Sequence, residues 1–436
     1  MTASARRLGR AAAGVGPAGP ARIVHFGPGA FFRAHQAWYT GRAGDGWGIA
    51  AVTGRSDALV ADLGGQDGLY TLLARGRDGD DPSLVTSISE VVGHADPAVS
   101  DRLASPDVAV VTMTVTEAGY RAGSTVLTRL VAGLDARRRA GAGPLALVSC
   151  DNLADNGRVL QAALLGAVPS GADGAALRGW MEQHCAFPNT VVDRITPAPL
   201  PEDRDEVQRI TGFEDRAAVV AEPWSEWIIE DAFPAGRPAW EQAGAVVAAD
   251  VAPYEQRKLR LLNAGHSLLA YLGGRSGFRF VHEAVVDPAC RTALQALWEE
   301  NRRWMDPAAA EGSAEYCAAV TERWNNPRLP HALAQIGTDG SLKLRERAAP
   351  SVLAARAGGG EPAANALLLG AWVAHVRAAG EGLRDQQAAR LAPAGEGSPA
   401  TASRQLLTVV DPRLASDAWI VEAVADVVER LEGGAI

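Results

Sequence analysis

An α/β domain built on a parallel sheet, followed by a mostly α-helical domain, is the architecture this sequence points to. Three observations carry it. Up to about residue 252, short apolar runs that end in polar residues alternate with stretches of helical periodicity. Beyond that point strand-like runs become scarce, and Ala/Leu/Arg-rich helical stretches take over. A chain of 436 residues, 47% apolar, is too long for one core and has ample material for two.

In order along the chain, "MTASARRLGRAAAGVGPAGP" (1–20) reads as a disordered or extended segment with no apolar h-region of a signal peptide. "ARIVHF" is a short apolar run that ends in Gly27-Pro28-Gly29 and leads into a helix. "WGIAAVTGR" (47–55), "VAVVTMTVT" (108–116) and "PLALVSCDN" (144–152) read as further buried strands. "STVLTRLVAGLDARRRA" (124–140) has helical periodicity and a basic last turn that suits the helix dipole. These elements make a dinucleotide-binding domain over 21–252. A helical substrate domain follows over 253–436, with helices at 254–273, 289–304, 313–324, 362–379 and 416–432. "AARAGGGEPAANA" (354–366) and "LAPAGEGSPATASRQ" (391–405) read as loops inside it.

A formal charge of −9 argues against nucleic acid as the partner, and no apolar stretch reaches membrane-spanning length. Cys150, Cys185, Cys290 and Cys317 are far apart, which gives no metal-ligand spacing and fits a reducing cytoplasm. Oligomeric state is left open.

"HFGPGAFFRAH" places G-x-G after a strand and before a helix, where glycines let backbone approach a pyrophosphate at a helix N-terminus. Phe32 occupies the usual third-glycine position, so an ordinary tight turn competes with this reading; Arg33 offers a charge for the pyrophosphate. Asp57, 28 residues after Gly29, is the candidate acid for the adenosine ribose. Arg55 beside it could instead accept a 2′-phosphate, and NAD is favoured over NADP.

The helix "YEQRKLRLLNAGHSLLAYLG" (254–273) carries Lys258, Asn263 and His266 among its leucines. At about 100° per residue they fall near 0°, 140° and 80°, on one arc under half a turn and spread over roughly 12 Å. Polar groups on such a face cost stability unless they meet partners or line a cavity. A partly dehydrated lysine could serve as a general base, an amide as donor to an oxygen gaining charge, and an imidazole as orienter of a hydroxyl. That set suits metal-independent oxidation of a secondary alcohol with hydride passing to a nicotinamide. The competing reading is a snorkelling lysine, a back-bonded asparagine and a satisfied core histidine.

The same residues resemble the signature helix of the mannitol dehydrogenase family, the long-chain polyol and sugar-acid dehydrogenases, with its K-x-x-x-x-N-x-x-H pattern. Blocks that agree in order include "GPGAFFRAHQAWY" (27–39), "QDGLYTLLAR" (66–75), "TVTEAGY" (114–120), "SCDNLADNG" (149–157), "FPNTVVDRITP" (187–197), "EPWSEWIIED" (222–231) and "DGSLK" (339–343). The resemblance implies an α/β N-terminal Rossmann-type domain with a parallel sheet, a mostly α-helical C-terminal domain, and NAD chemistry without metal. It also implies Lys258 as acid/base, Asn263 and Asn152 as oxyanion-stabilising amides, and His266 as substrate orienter. Gly27, Gly29, Phe31, Phe32 and Arg33 are implied in the cofactor turn, and Asp193 in the nicotinamide and substrate pocket. Ala118, Trp224, Glu226 and Arg257 depart from the family's usual residues, which bears on substrate identity.

"HALAQIGTDGSLKLRER" (331–347) is similar to the sugar-acid branch, with Gln335 where mannitol enzymes tend to carry arginine. Gln335 and Lys343 are the expected substrate-binding residues, because a uronate carboxylate needs a cationic partner; Arg345 and Arg347 read equally as solvated surface. The leading expectation is D-mannonate/D-fructuronate interconversion (fructuronate reductase). The alternatives are D-mannitol/D-fructose interconversion and, from another class, a non-catalytic NAD-binding regulator.

Overall fold

A computed structural model describes residues 6–54 and 58–434; the ribose-acid candidate Asp57 and its neighbour Arg55 lie outside the described residues. The chain forms two compact units, Met1–Val251 and Ala252–Ile436.

The first unit is organised by six parallel strands: β1 (Ala21–Phe26), β2 (Gly48–Val52), β3 (Ile88–Val92), β4 (Val110–Met113), β5 (Leu145–Ser149) and β6 (Cys185–Ala186). Their spatial order is 3-2-1-4-5-6, the Rossmann order, which reverses direction between β1 and β4. The central strands are apolar at nearly every position because both faces are covered. Val24, Phe26, Val111, Met113 and Leu147 face helices Ala98–Ala104, Thr125–Arg139, Asn156–Ala167 and Ala172–His184 through Leu103, Leu130, Leu134, Leu164 and Met181. Ile23, Ile49, Val110 and Val148 face the other way, onto a cluster with Phe32, Tyr39, Tyr70, Trp227 and Trp240.

Periodicity did not announce two smaller sheets of this unit. Tyr70–Arg75 pairs with Asp80–Val85 and with Val219–Ala221, and Thr190–Asp193 pairs antiparallel with Glu226–Glu230. The basic last turn of helix Thr125–Arg139 also does more than answer a dipole. Arg137 is fully buried and donates to the carbonyls of Leu103, Ser105, Val108, Gly143 and Pro144 at 2.7–3.1 Å. One planar fork thereby satisfies the loops that lead into β4 and β5.

Within the amino-terminal segment expected to be disordered or extended, the described residues 6–20 meet ordered partners. Arg6–Arg7 pairs in parallel with Phe213–Glu214, and Arg10–Ala13 is helical. The Arg10 guanidinium donates to the carbonyls of Asp67, Thr86 and Ile88, so long-range partners order a stretch whose composition carries no such signal.

The second unit is helical. Helix Ala363–Ala379 is buried over most of its surface and packs on Ala418–Glu432, where Gly370 stands so close to Val427 that it leaves no room for a methyl group. Asp287, Ser398 and Asp417 cap helices Pro288–Arg303, Pro399–Val410 and Ala418–Glu432 by accepting from first-turn amides. Both stretches read as loops are shorter than expected. Helices Ala349–Ala357, Ala363–Ala379, Ala388–Ala394 and Pro399–Val410 run into them, because proline at a first helical turn starts a helix as readily as it breaks one. Among the described residues, no helix is long and apolar enough to cross a membrane.

Candidate active site

Gly27 follows β1 at the point where strand order reverses. Its φ is +88°, and its α-carbon lies so close to the Thr114 carbonyl that a Cβ would collide with it. The Thr114 hydroxyl donates to the Gly27 carbonyl at 2.7 Å, which ties the ends of β1 and β4 together. Gly29 caps helix Ala30–Ala34, and no side chain caps the amides of its first turn. Those open amides beside a methyl-free turn fit a pyrophosphate, so the residues present suit a dinucleotide. The other candidates here divide. Phe31 is half-buried and stacks on His35 at 5.0 Å. Phe32 is fully buried and stacks on His25 at 3.5 Å, so it is a core residue with no surface to offer a cofactor. Arg33 is also buried, its guanidinium 6.0 Å from the Tyr70 ring, and desolvation lowers its pKa. The third-glycine position is therefore filled by packing.

His25 went unnoticed in the sequence. It is fully buried, with Nδ1 2.7 Å from the Thr112 hydroxyl and Nε2 3.2 Å from that of Thr114. Burial pushes its pKa down to about 3. Asn152 is exposed just beyond β5. Its neighbour Asp151 is buried and accepts from the amides of Val115 and Thr116 at 3.1 and 2.8 Å and from the Tyr120 hydroxyl at 2.7 Å. Burial raises the Asp151 pKa against those bonds. Thr116, a β-branched residue at φ +61°, is thus held in a strained conformation at the C-terminal ends of β4 and β5. Ala118 lies in the same turn, Glu117–Tyr120. Asp193 is buried at the end of Thr190–Asp193, in register with Glu226.

In the helical unit the signature helix spans the expected residues but is not a regular α-helix. Ala252–Arg257 and Ala264–Leu268 are α-helical, whereas Lys258–Asn263 and Leu269–Gly273 are π-helical. A turn closed by i→i+5 bonds advances about 80° per residue, so Asn263 falls near 40° from Lys258 and His266 near −20°. The π stretch therefore gathers the three side chains into an arc of about 60°, tighter than the α-helical wheel allows. Neighbouring helices hold it open. Asn301 donates to the Arg260 carbonyl at 2.6 Å, Trp298 to that of Leu261 at 2.9 Å, and Arg347 to that of Asn263 at 3.2 Å. Gly265 is required in this packing, since a Cβ there would press on Leu294 and Trp324 at 2.9 and 3.0 Å.

Lys258, Asn263 and His266 are 7%, 6% and 8% exposed, so the expected polar face is withdrawn from bulk water. His266 Nε2 makes no hydrogen bond among the described residues. The His266 ring packs on Trp324 at 4.4 Å and stands edge-on to His331 at 5.2 Å. Its pKa is well below the ordinary range, chiefly through burial and then through the charges of His331, Arg347, Arg323 and Lys258. The imidazole is accordingly neutral. Lys343 donates to the Ile336 carbonyl at 3.1 Å and lies near enough to depress His331 further. Gln335, by contrast, is exposed on the short helix Leu333–Ile336. Arg345 is exposed, as a surface reading expects, and donates to the carbonyls of Val409 and Val410, whereas Arg347 is half-buried and donates to the Asn263 carbonyl. Arg257 lies over the rings of Tyr254 and Tyr316 at 5.2 and 4.8 Å. Among the described residues, no group of three or more His, Cys, Asp or Glu could hold a metal ion.

A Rossmann sheet with an open glycine turn, together with a buried lysine–asparagine–histidine set, defines an oxidoreductase of the dinucleotide-dependent kind. Residues 21–242 match the mannitol dehydrogenase Rossmann domain and residues 250–431 the mannitol dehydrogenase C-terminal domain, and the chain belongs to the mannitol dehydrogenase family. It is 36% identical to the D-mannonate oxidoreductase of Escherichia coli over 361 residues, covering 75% of this chain and 74% of that protein. It is equally identical to the D-arabinitol 4-dehydrogenase of Ralstonia nicotianae over 79% of this chain and 81% of that protein. The solved ternary complex of Pseudomonas fluorescens mannitol 2-dehydrogenase with NAD and D-mannitol superposes with a TM-score of 0.82 at 31% identity, covering 99% of this chain and 95% of that one.

Proposed function

We propose that the protein interconverts D-mannonate and D-fructuronate with NAD as the redox partner and without a metal. The observation that supports the choice of substrate is the pair of cations near His266 and His331: Arg323 acts by charge on His266 and Lys343 on His331. A neutral polyol gains little from such a field, whereas a sugar acid brings the compensating carboxylate. The 36% identity to a D-mannonate oxidoreductase supports the same reading.

In the oxidation direction, the Lys258 amine takes the hydroxyl proton as the carbinol C–H bond breaks and C=O forms. The Asn263 amide donates to the oxygen while it carries negative charge. Neutral His266 presents Nε2 to the reacting hydroxyl and fixes its direction. Lys343 answers the carboxylate, and Gln335 borders the substrate. The turn from Gly27 to Gly29 holds the pyrophosphate, with Phe31 beside it. Bound NAD supplies the hydride acceptor.

Steady-state absorbance at 340 nm with both substrate pairs tests the proposal. Fructuronate should be reduced with a kcat/KM at least about tenfold above fructose, the discrimination one unanswered charge contributes. Equal or better turnover of fructose would remove the sugar-acid assignment and favour mannitol–fructose interconversion, which the likeness to the D-mannitol complex supports.

A further inference from the structure

The π stretch that carries Lys258 and Asn263 is wider than an α-turn, and several of its backbone carbonyls accept from side chains of other helices. Three side chains answer three of them, and only one brings a charge. Arg347 comes from helix Gly340–Arg347, and its Nη1 donates both to the Asn263 carbonyl at 3.2 Å and to the Ser267 hydroxyl at 3.1 Å. These two acceptors flank His266 on either side along the helix. Burial lowers the guanidinium's pKa to about 10, still far above neutrality, so the cation persists. Ser267 is 1% exposed, and no other hydrogen bond is available to its hydroxyl among the described residues. A half-buried arginine engaged in this way costs desolvation that a purely apolar contact would avoid. What it secures is the angular position of the Asn263 amide and the His266 ring.

We infer that Arg347 is a positioning residue: it clamps the end of the π turn so that Asn263 and His266 address the same substrate oxygen. The inference rests on the catalytic reading above, and its test separates the two. In the full-length enzyme with NAD and the sugar acid, Arg347→Met should lower kcat by about 100-fold, as expected when reacting groups are displaced by roughly 1 Å. KM should stay within about twofold, because substrate contacts outside the reacting oxygen persist. Arg347→Gln keeps an N–H donor for the Asn263 carbonyl and should recover part of that loss. It also serves where the methionine variant folds poorly.

The deciding measurement is a double-mutant cycle. If Arg347 acts through Asn263, adding Arg347→Met to Asn263→Ala should lower kcat little beyond Asn263→Ala alone. Losses that multiply, or a wild-type kcat in Arg347→Met while Asn263→Ala is impaired, would overturn the positioning role and leave the catalytic assignment standing. A wild-type kcat in Asn263→Ala itself would overturn both.

Discussion

The turn after β1 and the helix Ala252–Gly273 both place functional groups, and they do so by opposite means. The turn is made by backbone: Gly27 at φ +88°, the adjacent end of β4, and helix amides with no side-chain cap. The helix is made by side chains from elsewhere, since Trp298, Asn301 and Arg347 hold its π turn at three carbonyls. A backbone device survives changes in surrounding side chains provided the glycine stays. A side-chain device fails when any of several distant residues changes. Two arginines show the same contrast, with buried Arg137 closing loops in the sheet unit and half-buried Arg347 shaping the turn that carries the proposed chemistry.

The sharpest way to break this comparison is at the lysine. Lys258→Ala should lower kcat/KM for alcohol oxidation by about 1,000-fold, within the range for loss of a positioned acid/base. NADH binding, read by fluorescence titration, should be unchanged, and near-normal turnover would end the acid/base role. Next in size is Arg137→Met, which leaves five backbone carbonyls without this donor. It should destabilise the sheet unit by about 3 kcal/mol, seen as a lower midpoint in denaturant, while kcat of the folded fraction persists.

Gly27→Ala forces a side chain into a left-handed backbone and against the Thr114 carbonyl, and should cost about 2 kcal/mol. It should also weaken NADH binding, because the end of β1 must shift; a variant with wild-type affinity would show that the turn does not touch the cofactor.

His25 also sets a pH slope in stability. His25 stays neutral in the folded protein down to about pH 3, whereas the unfolded chain takes up its proton near 6.5. Its contribution is therefore complete above about pH 6.5 and is lost as pH falls through that window, by about 1.4 kcal/mol per unit. Replacing His25 by Asn should flatten the stability profile between pH 6.5 and 4 by that amount, measured by denaturant titration at each pH.

Much of this was legible in the residues. Continuous apolar runs such as "LALVS" and the periodicity of "TVLTRLVAGLDARRR" are strong signals because a strand or helix buried in a doubly covered sheet has few other options. The lysine, asparagine and histidine stood out because polar groups among leucines demand an explanation. The partners Arg347, Trp298 and Asn301 did not stand out, since each lies 35 or more positions from the carbonyl it meets and has no local pattern. His25 and Asp151 were missed for the same reason, as a histidine inside an apolar run or an acid after a strand gains meaning only from its neighbours.

Local chemistry alone settled the parallel sheet, the glycine turn, the helical second half and the identity of the three polar groups on the signature helix. It did so because these depend on spacing and on what a short segment can bury. Long-range packing settled the π turn that swings those groups together, the withdrawal of Phe32 and Arg33 into the core, and the ordering of residues 6–20. Each of those outcomes depends on which distant donor reaches a buried carbonyl, and no stretch of twenty residues contains that information.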